Sequence, residues 1–198
     1  MLRATKQLIL SALASFPPTR RAIEAIAYRE MRNRPPRAYT ERKLLPAVVG
    51  AVPVRVLYVG CASYTLRYLR YLTAHHVDCW TIDLDPMKAK WGVKGRHIIG
   101  DITQADTLFA PAHFDWVIMT GILGWGVDSV PAVELSISSV ANIIRPGGTL
   151  LLGWNRRSSH AIPDPMELTI TGERFRLIER IPFESPPFYP VYDHLRRA

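Results

Sequence analysis

The sequence has only two cysteines among its 198 residues, Cys61 and Cys79. They do not form a C-x-x-C pair, and two cysteines cannot build the disulfide framework of a small secreted domain, so a reducing, cytoplasmic compartment is expected. No uninterrupted apolar run reaches the roughly 18 residues that a membrane-spanning helix needs. The adjacent His75 and His76 have no partner at metal-ligand spacing, so no metal is expected.

The composition is that of a globular domain, because 48% hydrophobic residues are too many for a disordered chain. The net charge of +8 is uneven: residues 1–43 have ten Lys or Arg against three Glu, and the remainder is nearly neutral. Two interpretations stay open. The basic segment either meets an anionic substrate, a nucleic acid or a lipid surface, or it is the solvated face of ordinary helices.

Helical spacing of apolar residues predicts helices over residues 4–15, 20–34 and 41–49. Pro35 and Pro36 are expected to end the second of them. The sequence therefore predicts a basic helical arm or lid over residues 1–50, followed by one domain over residues 51–198.

Beyond residue 50, apolar β-branched segments alternate with segments of helical length, which indicates a parallel sheet in a doubly wound α/β fold. The five strand segments are 54–60, 78–85, 96–101, 114–121 and 149–154. The helical segments between them are 64–76, 86–92, 103–109 and 130–144. Two further segments, 174–184 and 189–197, have only a Pro-Pro turn between them and predict an antiparallel hairpin at the sheet edge. The prediction is a mainly parallel seven-stranded sheet.

Ligands of doubly wound folds bind at the carboxyl ends of the strands. Asp83 ends the second predicted strand, 23 residues after Gly60 at the end of the first, where an acid can accept hydrogen bonds from a ribose diol. Asp101 ends the third strand and can accept from an adenine amino group. Together they predict an adenosine-shaped slot with Leu84 and Ile102 as apolar walls.

Five segments in this order resemble the motifs of class I S-adenosylmethionine-dependent methyltransferases: VRVLYVGCASYT, WTIDLDP, IIGDIT, FDWVIMTGILGW and ANIIRPGGTLLLGW. The resemblance covers about residues 50–198. It implies a Rossmann-like fold, S-adenosyl-L-methionine as cofactor, and methyl transfer. The cofactor-binding residues that it implies are Tyr58, Gly60, Cys61, Ala62, Tyr64, Thr65, Asp83, Leu84, Asp85, Gly100, Asp101, Ile102, Thr120, Gly121 and Trp125.

The first motif departs from the family pattern, acid-x-Gly-x-Gly-x-Gly. Tyr58 stands in place of the acid, so an anchor near the methionine end of the cofactor is missing. Tyr64 stands where a glycine would leave the backbone bare. Either a hydroxyl of Tyr64, Ser63 or Thr65 replaces the acid and holds the cofactor carboxylate, or Tyr64 only packs on the sheet at the start of a helix.

Methyl transfer from a sulfonium needs a general base only if the nucleophile must lose a proton. The candidate catalytic residues are His160, which follows the fifth strand and is the expected base, Asp128, and Tyr64. Trp125 either stacks on substrate or cofactor, because aromatic faces attract cations, or is a core tryptophan.

The expected reaction is in-line methyl transfer to a small-molecule acceptor, possibly anionic. Two alternatives remain: an RNA methyltransferase, favoured by the basic arm, and a protein that binds the cofactor for other chemistry such as cyclisation, or for none. A nicotinamide dehydrogenase is disfavoured because Ala62 and Thr65 occupy the later glycine positions of its motif. The SPPF sequence at 185–188 matches a box of amino methyltransferases, but its place in the hairpin predicts a turn far from the methyl group.

Overall fold

A mixed sheet of seven strands lies at the centre of the part of the chain that the structure describes, residues 34–157 and 162–198 of a computed structural model. The strands are β1 (Arg55–Val59), β2 (Asp78–Asp83), β3 (His97–Ile99), β4 (Phe114–Thr120), β5 (Ile144–Asn155), β6 (Phe175–Pro182) and β7 (Pro190–Arg197). Their order is β3-β2-β1-β4-β5-β7-β6, with β1 to β5 parallel and β7 antiparallel to both β5 and β6. This confirms the predicted sheet and its edge hairpin.

Helices cover both faces of the sheet. They are α1 (Pro35–Tyr39), α2 (Leu45–Gly50), α3 (Leu66–Ala74), α4 (Ala105–Leu108), α5 (Val130–Ile143) and α6 (Thr169–Arg174). A π-helical turn, Thr40–Leu44, joins α1 to α2, and 3₁₀ turns span Pro86–Trp91, Ile102–Gln104 and Pro165–Glu167. One apolar core joins α5 to the sheet, and a second joins α2 and α3 to the opposite face. In the described ranges no helix has the length and apolarity to cross a membrane.

The helix before the sheet begins earlier than the sequence predicts. Pro35 and Pro36 were expected to end a helix, yet Pro35 begins α1, and helical backbone continues from there to Gly50. The reason is that proline fits the first turn of a helix, where its missing N–H would have no intrahelical partner anyway. The two helices predicted further upstream lie, apart from Arg34, outside the described residues.

The central strand β1 is buried on both sides, as a parallel strand between two helical layers must be. Leu57 and Val59 belong to the core under α5, whereas Val56 and Tyr58 belong to the core under α3. The chain leaves β1 beside the end of β4, where the strand order reverses. In doubly wound sheets, the crevice at such a reversal is the ligand site.

Candidate functional site

A cleft of about 500 Å³ opens at the carboxyl ends of β1, β2, β3 and β4. This volume is within the roughly 300–1,000 Å³ of small-molecule sites. All of the predicted cofactor-binding residues except Tyr58 line it. The residues that the family resemblance implies, Tyr58 apart, therefore lie together in the structure, although they come from four separate segments of the chain.

The loop after β1 needs one glycine only. Gly60 has a φ of +81°, and a Cβ at this position would lie 2.5 Å from Cδ1 of Ile122. Thr65 closes the rest of the loop: its Oγ1 accepts a hydrogen bond from the Ala62 N–H at 3.0 Å, and its hydroxyl is 2.9 Å from the Ala62 carbonyl oxygen. Ala62 and Tyr64 both have negative φ, so neither position requires glycine.

Two carboxylates stand side by side at the ends of β2 and β3. Asp83 accepts the Cys61 N–H on Oδ2 at 2.6 Å and the Asp85 N–H on Oδ1 at 2.9 Å. Asp101 accepts the Thr103 N–H on Oδ1 at 2.9 Å. These backbone donors fix the orientation of both side chains. Each carboxylate offers about four lone-pair sites, so both retain acceptor capacity toward a ligand.

Tyr58 does not reach the cleft. Its side chain is only 1% exposed and lies in the core on the opposite face of the sheet, with Leu69 and Ile118. Burial raises the pKa of its hydroxyl well above the ordinary value. Side chains alternate along a strand, and position 58 points toward α3, so the expectation that Tyr58 itself binds cofactor is not supported by its placement.

Tyr64 packs on the sheet, as one of the two alternatives predicts, and it is also part of the cleft wall. The guanidinium of Arg37, from α1, lies over its ring with Cζ 3.8 Å from the ring centroid. The side chain that replaces a glycine thus forms a wall between the cofactor loop and the helix before the sheet.

Of the other two catalytic candidates, only Asp128 lies within the described residues. Asp128 accepts the Gly126 N–H at 2.9 Å and so holds the turn between β4 and α5, without lining the cleft. His160 lies outside the described residues. Trp125, in the same turn as Gly126, lines the cleft and is 60% exposed, so the alternative of a core tryptophan is wrong.

The titratable groups of the cleft are three aspartates, one lysine, one tyrosine and one thiol. Burial, with Asp83 nearby, raises the pKa of the Cys61 thiol to about 12, so it is protonated at neutral pH and is a poor nucleophile. No histidine is among the cleft residues that the structure describes. Nor do the described residues contain a group of three or more His, Cys, Asp or Glu able to hold a metal.

The hairpin turn contacts the wall of the cleft. The Phe188 ring meets the Trp125 ring edge-to-face, with centroids 5.4 Å apart. β7 lies directly beside β5, and Asn155 at the carboxyl end of β5 pairs with Pro190. The turn before Pro190 therefore rises at the cleft edge of the sheet, and residues 186–188 form the turn that the sequence predicts.

Several cleft residues escaped the sequence analysis. Ile122, Val127 and Lys88 line the cleft from loops whose course depends on how they pack. A signal for Ile122 was available, since apolar residues directly after a strand often form the wall of a strand-end site. Arg37 had no such signal, because its place beside Tyr64 depends on how α1 packs against the sheet.

Comparison with known proteins shows the fold. No protein-family model matches the sequence, and none of the curated proteins matches it. Many solved structures do match. The N-methyltransferase NodS of Bradyrhizobium japonicum, in complex with S-adenosylhomocysteine, superposes with a TM-score of 0.65 at 20% identity, covering 85% of this chain and 90% of that one.

Two further structures match over most of their length. A Burkholderia thailandensis 1,6-didemethyltoxoflavin N1-methyltransferase, with its substrate and S-adenosylhomocysteine bound, has a TM-score of 0.57 and 16% identity over 90% of this chain and 87% of that one. The magnesium protoporphyrin IX methyltransferase of Synechocystis, with S-adenosylmethionine bound, has a TM-score of 0.58 and 15% identity, covering 80% of this chain and 80% of that one. The chain therefore has the fold of class I methyltransferases.

Proposed function

We propose that the protein is an S-adenosyl-L-methionine-dependent methyltransferase that acts on a small-molecule acceptor. One observation supports this above the rest. Asp83 and Asp101 stand at the ends of neighbouring strands in one cleft with the Gly60 loop, where a ribose diol and an adenine amino group find acceptors.

The cleft fits the cofactor in its apolar parts as well. Leu84 is 65% exposed beside Asp83, and Ile102 is buried beside Asp101, so a flat base between them would have apolar contacts on its faces. At Gly60 the positive φ favours glycine, and an added Cβ would have to displace Cδ1 of Ile122, so bare backbone lies at the cleft surface. Asp83 would hold the ribose and Asp101 the adenine.

For methyl transfer, the protein has to position the cofactor and the acceptor, and it does not have to activate the methyl group. The cofactor supplies an already activated methyl group when bound. The residues of the cleft orient both reactants and exclude water, and such positioning provides much of the rate of a displacement reaction. Trp125 presents an aromatic face toward a cation at the cleft wall. If the acceptor must lose a proton, His160 is our proposed base, because it follows β5, whose Gly153 pairs with Thr120 of the cleft.

A small acceptor is supported by two features. The cleft is of small-molecule size, and two structurally similar enzymes act, by their names, on a toxoflavin precursor and a porphyrin. The excess of basic residues in the first 43 positions favours an anionic acceptor.

The decisive experiment substitutes Asp83. We expect Asp83→Ala to weaken S-adenosylhomocysteine binding by about 1.5–3 kcal/mol in calorimetry, since hydrogen bonds to a charged group are lost. Asp115→Ala is the matched control, because it also removes a carboxylate that accepts a backbone N–H, that of Arg55, but lies outside the cleft. Equal affinity of the Asp83 variant and the unaltered protein would show that Asp83 does not hold the ribose.

The nature of the reaction is tested by its product. Incubation with S-adenosylmethionine and a panel of small acceptors, followed by mass spectrometry, should yield S-adenosylhomocysteine and an acceptor heavier by one methylene unit. Release of methylthioadenosine instead would identify cyclisation and reject methyl transfer.

A further inference from the structure

Arg37 is held among four tyrosines, one of which, Tyr64, lines the cleft. Its Cζ lies 3.8 Å from the ring centroid of Tyr64 and 5.8 Å from that of Tyr68. Tyr58 and Tyr192 are also close enough to act on its charge. We call these four residues, Tyr58, Tyr64, Tyr68 and Tyr192, the tyrosine cage.

The cage contains a cation but no anion. Within residues 34–157 and 162–198, no carboxylate forms an ion pair with Arg37. Burial raises the pKa of the Tyr58, Tyr68 and Tyr192 hydroxyls, so they are neutral at physiological pH. Burial does not bring the pKa of Arg37 below its ordinary value, so the side chain is charged at physiological pH. A charge that is removed from water is stabilised when a ligand provides an anion beside it.

The cage adjoins the cleft at two points. Tyr64 itself lines the cleft. Tyr192 pairs with Gly153 on β5, which pairs with Thr120 on β4, and a Cβ built on Gly153 would meet both neighbours at 3.0 Å. Tyr192 and Thr120 therefore flank Gly153 on one face of the sheet, and Thr120 lines the cleft.

The guanidinium of Arg37 hydrogen-bonds the Tyr68 side chain, and its contact with Tyr64 leaves its remaining N–H donors available to a ligand. A guanidinium that lies over an aromatic ring uses its flat face, whereas its five N–H donors point outward in its plane. Those in-plane donors match the two oxygens of a carboxylate. The stacking on Tyr64 fixes the plane of the fork in advance, so less side-chain entropy is lost on binding.

The charge next to position 58 is positive, whereas the family pattern has a negatively charged acid at this position. The acid of the first motif is replaced by Tyr58, and the cation of Arg37 lies beside Tyr58. A carboxylate there would attract the ammonium of an amino acid, while a guanidinium attracts its carboxylate. The reversal thus indicates which end of the methionyl group the chain recognises.

We propose that Arg37 binds the carboxylate of the cofactor's methionyl group, so that the amino-acid end is recognised through its anion and hardly through its ammonium. This inference rests on the proposed function. It adds a recognition residue from outside the family motifs, and it predicts an unusual order of affinities for truncated cofactors.

Three ligands measured by calorimetry test the proposal: S-adenosylhomocysteine, its decarboxylated analogue S-adenosyl-3-thiopropylamine, and its deaminated analogue with the carboxylate retained. We expect the unaltered protein to bind the deaminated analogue within about 3-fold of S-adenosylhomocysteine. The decarboxylated analogue should bind about 10- to 100-fold more weakly, the range for hydrogen bonds to a charged group.

Arg37→Met then assigns the effect to the side chain. It should bind S-adenosylhomocysteine about 10- to 100-fold more weakly, while its affinity for the decarboxylated analogue stays unchanged. Arg37→Lys, which keeps the charge but not the fork, should fall between. Arg42→Met is the matched control, because Arg42 is exposed in the helical turn after α1. Thermal melting of each variant checks that it is folded.

Several outcomes would overturn the proposal. Equal losses for both ligands in Arg37→Met would show that Arg37 only supports the fold of the loop. Unchanged affinity of Arg37→Met for S-adenosylhomocysteine would show that Arg37 does not bind the cofactor carboxylate. An anionic group of the acceptor would then be the candidate partner of Arg37. If the unaltered protein bound none of the three ligands, the proposed function itself would fail, which is a distinguishable result.

Discussion

Gly60 bends the backbone out of β1 with a φ of +81° and lies under the side chain of Ile122. Two separate costs oppose a side chain here: the positive φ, and the contact with Cδ1 of Ile122 at 2.5 Å. The positive φ affects the stability of the fold. The contact with Ile122 affects the cleft, because Gly60 and Ile122 both line it. The two can therefore be measured apart.

We expect Gly60→Ala to lower the free energy of unfolding by about 1–2 kcal/mol, the usual penalty for an L-residue in the left-handed region. It should also weaken S-adenosylhomocysteine binding. Gly95→Ala is a matched control, since Gly95 has a φ of +76° with no atom within 4 Å of the added Cβ and lies outside the cleft. Urea unfolding and calorimetry measure both effects. Weaker binding in the Gly95 variant as well would mean that strain anywhere in the chain affects the cleft.

At the scale of elements, the hairpin and the loop after β5 are joined through one arginine. Asp193 on β7 is fully buried and accepts hydrogen bonds from Trp154 Nε1 at 2.9 Å and from Arg180 Nε at 2.7 Å. Arg180 also donates to both oxygens of Asp164, at 2.5 and 2.7 Å. Burial alone would raise the pKa of Asp164, but Arg180 and the Met166 N–H hold it below the ordinary value.

Arg180→Met removes the cation and leaves Asp193 as a buried carboxylate with only the Trp154 donor. We expect the free energy of unfolding to fall by about 3 kcal/mol. This is the lower end of the range for removing one partner of a buried ion pair, because the Arg180 side chain is 33% exposed. Arg176→Met, on the same strand but exposed, should change it by less than about 0.5 kcal/mol. Similar losses in both variants would show that Asp193 does not depend on Arg180.

At the scale of the whole molecule, three histidines make stability depend on pH. Burial lowers the pKa of His97, His113 and His194 below 6.5. Below pH 6.5 the unfolded chain therefore binds more protons than the folded one, and stability falls as the pH falls toward the folded pKa values. Asp106, Asp115 and Asp164, whose pKa values are lowered, lose their contribution only at more acidic pH, below about 3.8.

We expect the melting temperature to be constant above about pH 7 and to decrease from about pH 6.5 downward. His194→Gln should make this decrease shallower, because it removes one of the three titrating groups. Glutamine is chosen because its neutral amide can replace the hydrogen bond between His194 Nε2 and the Tyr39 hydroxyl, 2.9 Å apart. Melting curves at fixed ionic strength from pH 5 to 8 provide the measurement. A melting temperature that rises on acidification would contradict the direction of the three shifts.

The sheet was predictable from the sequence because apolar β-branched segments alternate with helical ones, and because strand ends meet at one edge. That reasoning located Gly60, Asp83 and Asp101 without any knowledge of their contacts. It failed for Tyr58, because motif position does not reveal which face of β1 a side chain occupies. It could not find Arg37, whose tyrosine neighbours are 21 or more residues away along the chain and are brought to it only by packing.

The edge-to-face contact between Trp125 and Phe188 has an evolutionary consequence. It connects the cleft wall to a hairpin turn over 60 residues away in sequence, at an edge of the sheet that none of the cofactor-loop residues touches. Insertions or deletions in that turn can reshape the mouth of the cleft while Gly60, Asp83 and Asp101 stay in place. Acceptor range and cofactor binding can thus diverge independently in this lineage.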